Sequence, residues 1–195
     1  MITSAVSLSD SGFYLPVYLE LGRKYPELLR FSANGDFIEQ IRITAKNRMI
    51  QPSIMPISSD SAWAYFRNSS TNLDARELFA AKTLDGGKSW SKPEMTNLTN
   101  PDSSLEVVNL ADGRYLMVYN QDNRSHLNLA ISVNGLYWRK IYELENTPGD
   151  EFSYPSVHVN NGYIDILYTN NRKTIKHVRF NREWLSEVIK HATVY

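Results

Sequence analysis

Asp85, Glu106, Arg67 and His177 are the side chains whose settings suggest chemistry in this 195-residue chain. Asp85 lies in Thr83-Leu84-Asp85-Gly86-Gly87-Lys88-Ser89-Trp90, where a carboxylate followed by two glycines reads as a tight turn. Its oxygens accept backbone N–H groups and a glycine takes positive φ. That use consumes the carboxylate, so Asp85 is expected to be structural. Glu106 follows Leu105 and precedes Val107-Val108; an inward carboxylate on an apolar strand is either a structural ion pair or a group with perturbed proton affinity. Arg67 ends an apolar run, where a guanidinium can grip a carboxylate bidentately or pair with Asp74 or Glu77. His177 reads as a strand residue rather than a general base. His126 and His158 lack partners at metal-ligand spacing, so no metal site is expected. Neither a phosphate-binding glycine loop nor Gly-x-Ser-x-Gly occurs, and no cofactor is expected.

These residues sit on a repeating pattern of short strands. Asp112-Gly113-Arg114-Tyr115-Leu116-Met117-Val118-Tyr119 and Asn161-Gly162-Tyr163-Ile164-Asp165-Ile166-Leu167-Tyr168 each open on a turn glycine and reach a Tyr six residues later. The stretch from Ser11-Gly12 to Tyr18 has the same form, and that from Asp60-Ser61 to Arg67 is a fourth copy, with Arg in place of Tyr. The column Tyr18, Arg67, Tyr119, Tyr168 is spaced 49, 52 and 49 residues apart. Arg67 thus breaks its column, which suggests a purpose beyond packing. A second apolar run and a turn follow each copy. Ser132-Val133-Asn134-Gly135-Leu136-Tyr137-Trp138 is a shortened version of the Asp85 turn, Ser32-Ala33-Asn34-Gly35 is weaker, and the last copy has no such turn. A period of about 40–50 residues with several strands per unit is the signature of β-propeller blades. The pattern predicts an all-β chain of four blades, approximately residues 1–46, 47–96, 97–146 and 147–195, forming a single domain. Helical periodicity is confined to a turn or two at residues 183–190.

Lys and Arg together equal Asp and Glu at 21 each, so no global field draws the chain to nucleic acid or to a membrane surface. Zero Cys excludes disulfides and thiolate metal sites. The first six residues have no basic region and no apolar core of signal-peptide length; the sequence leaves the location open, cytoplasmic or periplasmic if the chain is a fragment.

The Thr83–Trp90 turn resembles the Asp-box, Ser/Thr-x-Asp-x-Gly-x-x-Trp. The order Gln51-Pro52-Ser53, Phe66-Arg67, Asn100-Pro101-Asp102-Ser103 with Glu106, Asn123-Arg124-Ser125, Ser153-Tyr154-Pro155 and Tyr168-Thr169-Asn170-Asn171-Arg172 with Ile175-Lys176-His177 is similar to that of bacterial sialidase-like BNR/Asp-box repeat proteins. The resemblance runs from about residue 12 to residue 180. It implies a sialidase-type propeller of which this chain represents the C-terminal four of six blades. Four blades could close on themselves, lie open as a partial array or dimerise, and an open array leaves unpaired edges through which self-association is expected. It also implies a carboxylate-gripping set of arginines, a nucleophilic Tyr in place of the usual carboxylate, and a Glu that activates it. Position by position, the resemblance makes Tyr154 the nucleophile and Arg67 a carboxylate ligand. Glu106 falls two residues from the place of the activating Glu. Arg124, Arg172 and Gln51 are further substrate-binding candidates, and the acid Asp of the first blades has no counterpart.

Three function classes follow. One is a sialidase-like glycoside hydrolase acting on acidic glycans, possessing a central-channel site with Arg67 and Tyr154, or a truncated inactive form of it. Another is a non-catalytic carbohydrate-binding or interaction propeller. The third is a polysaccharide lyase on the same scaffold, with Tyr154 or His177 taking the proton α to a uronate carboxylate.

Overall fold

The computed structural model describes residues 4–8, 12–46, 48–70 and 76–192. The chain is built of four antiparallel sheets and one terminal helix, divided between two compact units, Met1–Thr96 and Asn97–Tyr195.

The first sheet holds β1 (Phe13–Leu19), β2 (Tyr25–Phe31) and β3 (Phe37–Arg42) in that order. Val6 pairs with Tyr14 through two backbone hydrogen bonds of 3.0 and 2.7 Å, so a single bridge stands where the other sheets have a first strand. The second sheet orders β4 (Met49–Pro56), β5 (Ala62–Asn68), β6 (Glu77–Thr83) and β7 (Glu94–Thr99). Tyr14, Leu28 and Ile41 of the first sheet form one core with Ile54, Ala64, Phe66 and Phe79 of the second. Residues 62–66 are all buried, as expected of a strand covered on both faces.

In the second unit, β8 (Glu106–Asn109), β9 (Tyr115–Asn120), β10 (His126–Ser132) and β11 (Arg139–Asn146) form the third sheet, and β12 (Phe152–Asn160), β13 (Tyr163–Asn170) and β14 (Thr174–Asn181) the fourth. Leu116, Val118, Leu127 and Leu129 pack against Phe152, Ile164, Ile166 and Tyr168. Each fully buried side chain of this kind stabilises by roughly 1.5–3 kcal/mol. Along β13, Ile164, Ile166 and Tyr168 are buried while Tyr163 and Leu167 are exposed, the period-two alternation of a strand packed on one face, interrupted only by Asp165, which is buried on the outer face among its bonds to His177 and Arg179. Asn161 and Gly162 join β12 to β13 with φ of 49° and 80°, the two positive values that a two-residue type I′ hairpin turn requires.

The Asp-box turn is closed as its residue types predict. Thr83 Oγ1 donates to Asp85 Oδ1 at 2.8 Å and accepts the Gly87 N–H at 3.0 Å; Asp85 Oδ1 also accepts the Ser89 N–H, and Trp90 Nε1 donates to the Gly87 carbonyl at 3.1 Å. Gly87 has φ of +86°, and a Cβ there would lie 3.0 Å from Leu8 Cδ1, so glycine is required twice over. The shortened version works equally well. Ser132 Oγ accepts the Gly135 N–H, Asn134 Oδ1 accepts the N–H groups of Leu136 and Tyr137, and Trp138 Nε1 donates to the Gly135 carbonyl at 3.1 Å. A neutral amide oxygen therefore replaces the carboxylate without loss of the turn. At the corresponding end of β14 the chain enters α1 (Arg182–His191) instead, with Asn181 Oδ1 capping the Trp184 N–H at 2.9 Å. The helix expected at 183–190 is present.

One expectation is corrected by the ladders. The box hydroxyls Thr83 and Ser132 pair with Ala62 and Tyr115 respectively, so Tyr119 corresponds to Phe66 and Asn120 to Arg67. In the fourth sheet, Ser153 pairs with Thr169 as Ile50 pairs with Arg67, which aligns Thr169 with Arg67 and Tyr168 with Phe66. The aromatic column is thus Phe66, Tyr119, Tyr168, all buried, and Arg67 belongs to a polar column with Asn120 and Thr169. Arg67 does not break its repeat; Asp60, rather than Ser61, stands at the register position of Gly113 and Gly162, so the count was displaced by one residue.

Candidate functional site

The first strands of the second and fourth sheets carry the same irregularity. In β4 the register with β5 shifts between Ile50 and Ser53; in β12 the register with β13 shifts between Ser153 and Ser156. At the apex stand Gln51, with φ of 47°, and Tyr154, with φ of 55°, each followed by proline. Left-handed backbone at a non-glycine residue costs about 1–3 kcal/mol and survives only where the surroundings over-determine it. In β8, Glu106 pairs with Val118, which puts Glu106 at the register position of Ser53 and Ser156 and leaves Ser104 matching Gln51 and Tyr154. The buried Ser104 hydroxyl finds no hydrogen-bond partner among the described residues. Glu106 itself is buried, two residues beyond the bulge position.

The two bulges are surrounded differently. In the first unit, Gln51 is 4% exposed and its amide links two side chains: Nε2 donates to Tyr18 Oη at 3.2 Å, and Oε1 accepts from Arg67 Nη1 at 3.1 Å. Asp74, the partner considered for Arg67, lies outside the described residues.

In the second unit a carboxylate that drew no attention in the sequence organises the surroundings of Tyr154. Glu151 Oε1 accepts three hydrogen bonds, from Arg124 Nη1 at 2.9 Å, Arg172 Nε at 3.0 Å and Ser153 Oγ at 2.9 Å. Arg124 Nη2 donates to the Asp102 carbonyl at 2.7 Å, and its guanidinium lies 5.7 Å from the centre of the Tyr154 ring. The Tyr154 hydroxyl makes no hydrogen bond among the described residues.

Local backbone pairing brings these groups together. The Phe152 N–H bonds the Arg124 carbonyl at 2.8 Å, the Asn171 N–H bonds the Glu151 carbonyl at 2.7 Å, and Asn171 Oδ1 accepts the Glu151 N–H at 2.7 Å. The Arg124 loop, the Arg172 turn and the start of β12 are thereby clipped to one another. Partial burial pushes the Glu151 carboxyl upward, but the hydrogen bonds from Arg124, Arg172 and Ser153 outweigh it and hold the group below the usual carboxylate range. Arg124 is largely buried, whereas the Arg172 side chain is 65% exposed.

His177 lies elsewhere. Its Nε2 meets Asp165 Oδ1 at 2.6 Å, and Arg179 binds both oxygens of the same carboxylate at 2.7 and 3.0 Å. The Arg179 and His177 hydrogen bonds draw Asp165 down to about 2. His126 sits 3.4 Å from Glu143 Oε1.

Of the sequence candidates, the structure therefore gathers Arg124, Arg172 and Tyr154 in one unit and Gln51 with Arg67 in the other. Glu151 was missed because its only signal was an acidic residue three positions ahead of Tyr154-Pro155. Two guanidinium groups converging on one carboxylate oxygen beside an aromatic ring form an arrangement suited to an organic anion.

A family model described as BNR repeat-like domain matches residues 1–166. No curated protein matches the chain. Among solved structures, the NanB sialidase of Streptococcus pneumoniae is 12% identical with a TM-score of 0.68, over 92% of this chain and 30% of that one. The sialidase of Trypanosoma rangeli, in complex with the inhibitor DANA, is 16% identical with a TM-score of 0.68, over 94% of this chain and 32% of that one. A protein of unknown function from Dyadobacter fermentans is 15% identical with a TM-score of 0.72, over 91% of this chain and 64% of that one. At such identities the likeness establishes the fold, that of sialidase propeller blades, and the chain spans about a third of the two sialidases it matches.

Proposed function

The chain belongs to the BNR repeat-like domain family, and on that premise we propose that it recognises acidic sugars by gripping a carboxylate with Arg124 and Arg172 beside the ring of Tyr154. The observation that carries this reading is the convergence of both guanidinium groups on Glu151 Oε1. The two arginines are held at carboxylate-binding distance, and Tyr154 offers an aromatic surface to a sugar ring next to them.

Sialidase-like hydrolysis is the finer form of the reading. Tyr154 would serve as the nucleophile, with Glu106 its activator, and its position at a strained bulge on a first strand favours a functional role over a packing one.

Calorimetric titration with N-acetylneuraminate, together with an assay of a fluorogenic sialoside, tests both levels. Binding that Arg124→Ala abolishes supports acidic-sugar recognition. Turnover that Tyr154→Phe abolishes adds hydrolysis, while binding without turnover assigns the chain to the non-catalytic class. Absence of both sinks the reading.

A further inference from the structure

Glu151 stands in an unusual relation to the arginines of the proposed site. Its Oε1 already accepts the hydrogen bonds that Arg124 Nη1 and Arg172 Nε would offer to a ligand carboxylate, with Ser153 Oγ as a third donor. Arg124 is further anchored by the Asp102 carbonyl, so it keeps its place when Glu151 leaves. Arg172 is exposed and held only at Nε, and its terminal nitrogens have no partner among the described residues. The Glu151 backbone is fixed by two hydrogen bonds to Asn171, while its side chain remains 26% exposed. A fixed backbone carrying a partly solvated carboxylate permits the side chain to swing away without disturbing the chain around it.

We propose that Glu151 is a specificity-determining residue, an internal carboxylate that holds the Arg124–Arg172 pair in the unliganded protein and that a ligand's carboxylate must displace. The proposal rests on the acidic-sugar reading above. Its consequence is selective. A small monoanion such as acetate gains from the arginines no more than Glu151 already supplies, and Glu151 acts at high effective concentration because it is tethered. An acidic sugar adds contacts to its ring, beside Tyr154, and can outcompete it. Apparent affinity is reduced by the fraction of time the arginines are occupied, so occupancy of about nine-tenths weakens every carboxylate ligand roughly tenfold.

The test titrates the full chain with N-acetylneuraminate and with acetate by calorimetry. Glu151→Gln is expected to bind N-acetylneuraminate about tenfold more tightly than the unaltered protein and to acquire measurable acetate binding, with both gains lost in Arg124→Ala/Glu151→Gln. Weaker or unchanged binding by Glu151→Gln, in a protein whose Arg124→Ala variant has lost binding, overturns displacement and makes Glu151 a support for the arginines, leaving the acidic-sugar reading intact. No binding by the unaltered protein or the variant overturns both. Should Glu151→Gln fail to give a native circular dichroism spectrum, carbon-13 NMR of the unaltered protein decides. The Glu151 carboxyl pKa must rise toward its ordinary value when N-acetylneuraminate saturates the site; a value that stays depressed overturns the proposal.

Discussion

At Gln51 and at Tyr154 the backbone makes the same left-handed excursion before a proline, yet the two bulges hold opposite kinds of partner. The first is an amide that joins a guanidinium to a phenol hydroxyl. The second is an aromatic ring beside two arginines bound to a carboxylate. Identical ladder registers therefore set where a side chain is displayed, and the neighbouring loops set what charge it meets. The Arg124 loop and the Arg172 turn bring two guanidinium groups to Glu151 next to the second bulge, and on the proposed reading this makes an anion site of a structural repeat.

The largest effect that could break this contrast is on binding. Arg124→Ala is expected to lower affinity for N-acetylneuraminate about a hundredfold, since removing one partner of a close charge pair costs about 2–5 kcal/mol. Gln51→Ala, which alters an amide bonded to Tyr18 and Arg67 of its own unit, should change it by no more than about twofold. Equal losses in the two calorimetric titrations would erase the distinction between a charged and a neutral bulge.

The order reverses for stability. Gln51→Ala removes a buried amide that satisfies both Tyr18 and Arg67, at an expected cost of about 1–2 kcal/mol in urea unfolding. Tyr154→Phe deletes a hydroxyl with no hydrogen bond among the described residues and should cost less than about 0.5 kcal/mol.

A small effect is also expected in acid. Glu151 titrates below its ordinary value in the folded chain, so its contribution is complete above the unfolded-state pKa and disappears as pH falls through the depressed folded value. Glu151→Gln should flatten the acid limb of stability by less than about 1 kcal/mol, as befits a partly exposed ion pair. Asp165, drawn to about 2 by Arg179 and His177, loses its contribution at lower pH still, and Asp165→Asn separates the two limbs. Thermal melts between pH 2 and pH 6 would show whether Gln51→Ala leaves this limb unchanged, as a neutral bulge requires.

Much of this architecture was legible in the residues because it is local. The Asp-box turn depends on a hydroxyl, an oxygen acceptor, glycines and an indole within eight positions, and each found its expected partner. The terminal helix and the Asn161-Gly162 turn were legible for the same reason. The column containing Arg67 was misplaced because no glycine marks the turn before β5: counting from Ser61 sets Arg67 level with Tyr119 and Tyr168, whereas the ladders put Asp60 at the register position of Gly113 and Gly162. With a period of two, a slip of one residue exchanges one face of a strand for the other. The sign of Arg67's role changed with it, from an exception among tyrosines to a member of a polar column.

The amino-acid order by itself determined the strand repeat, the turn chemistry and the neutral, cysteine-free composition, all of which depend on near neighbours or on sums over residues. It also placed Tyr154 ahead of a proline, without revealing the left-handed φ that displays it. Only the tertiary structure decided that Glu151, Arg124 and Arg172 meet. These residues are 27 and 21 positions apart, and they are joined by backbone bonds between loops whose pairing no local propensity encodes. Charge convergence is a property of distance in space, and it falls off too steeply for separation along the chain to predict it.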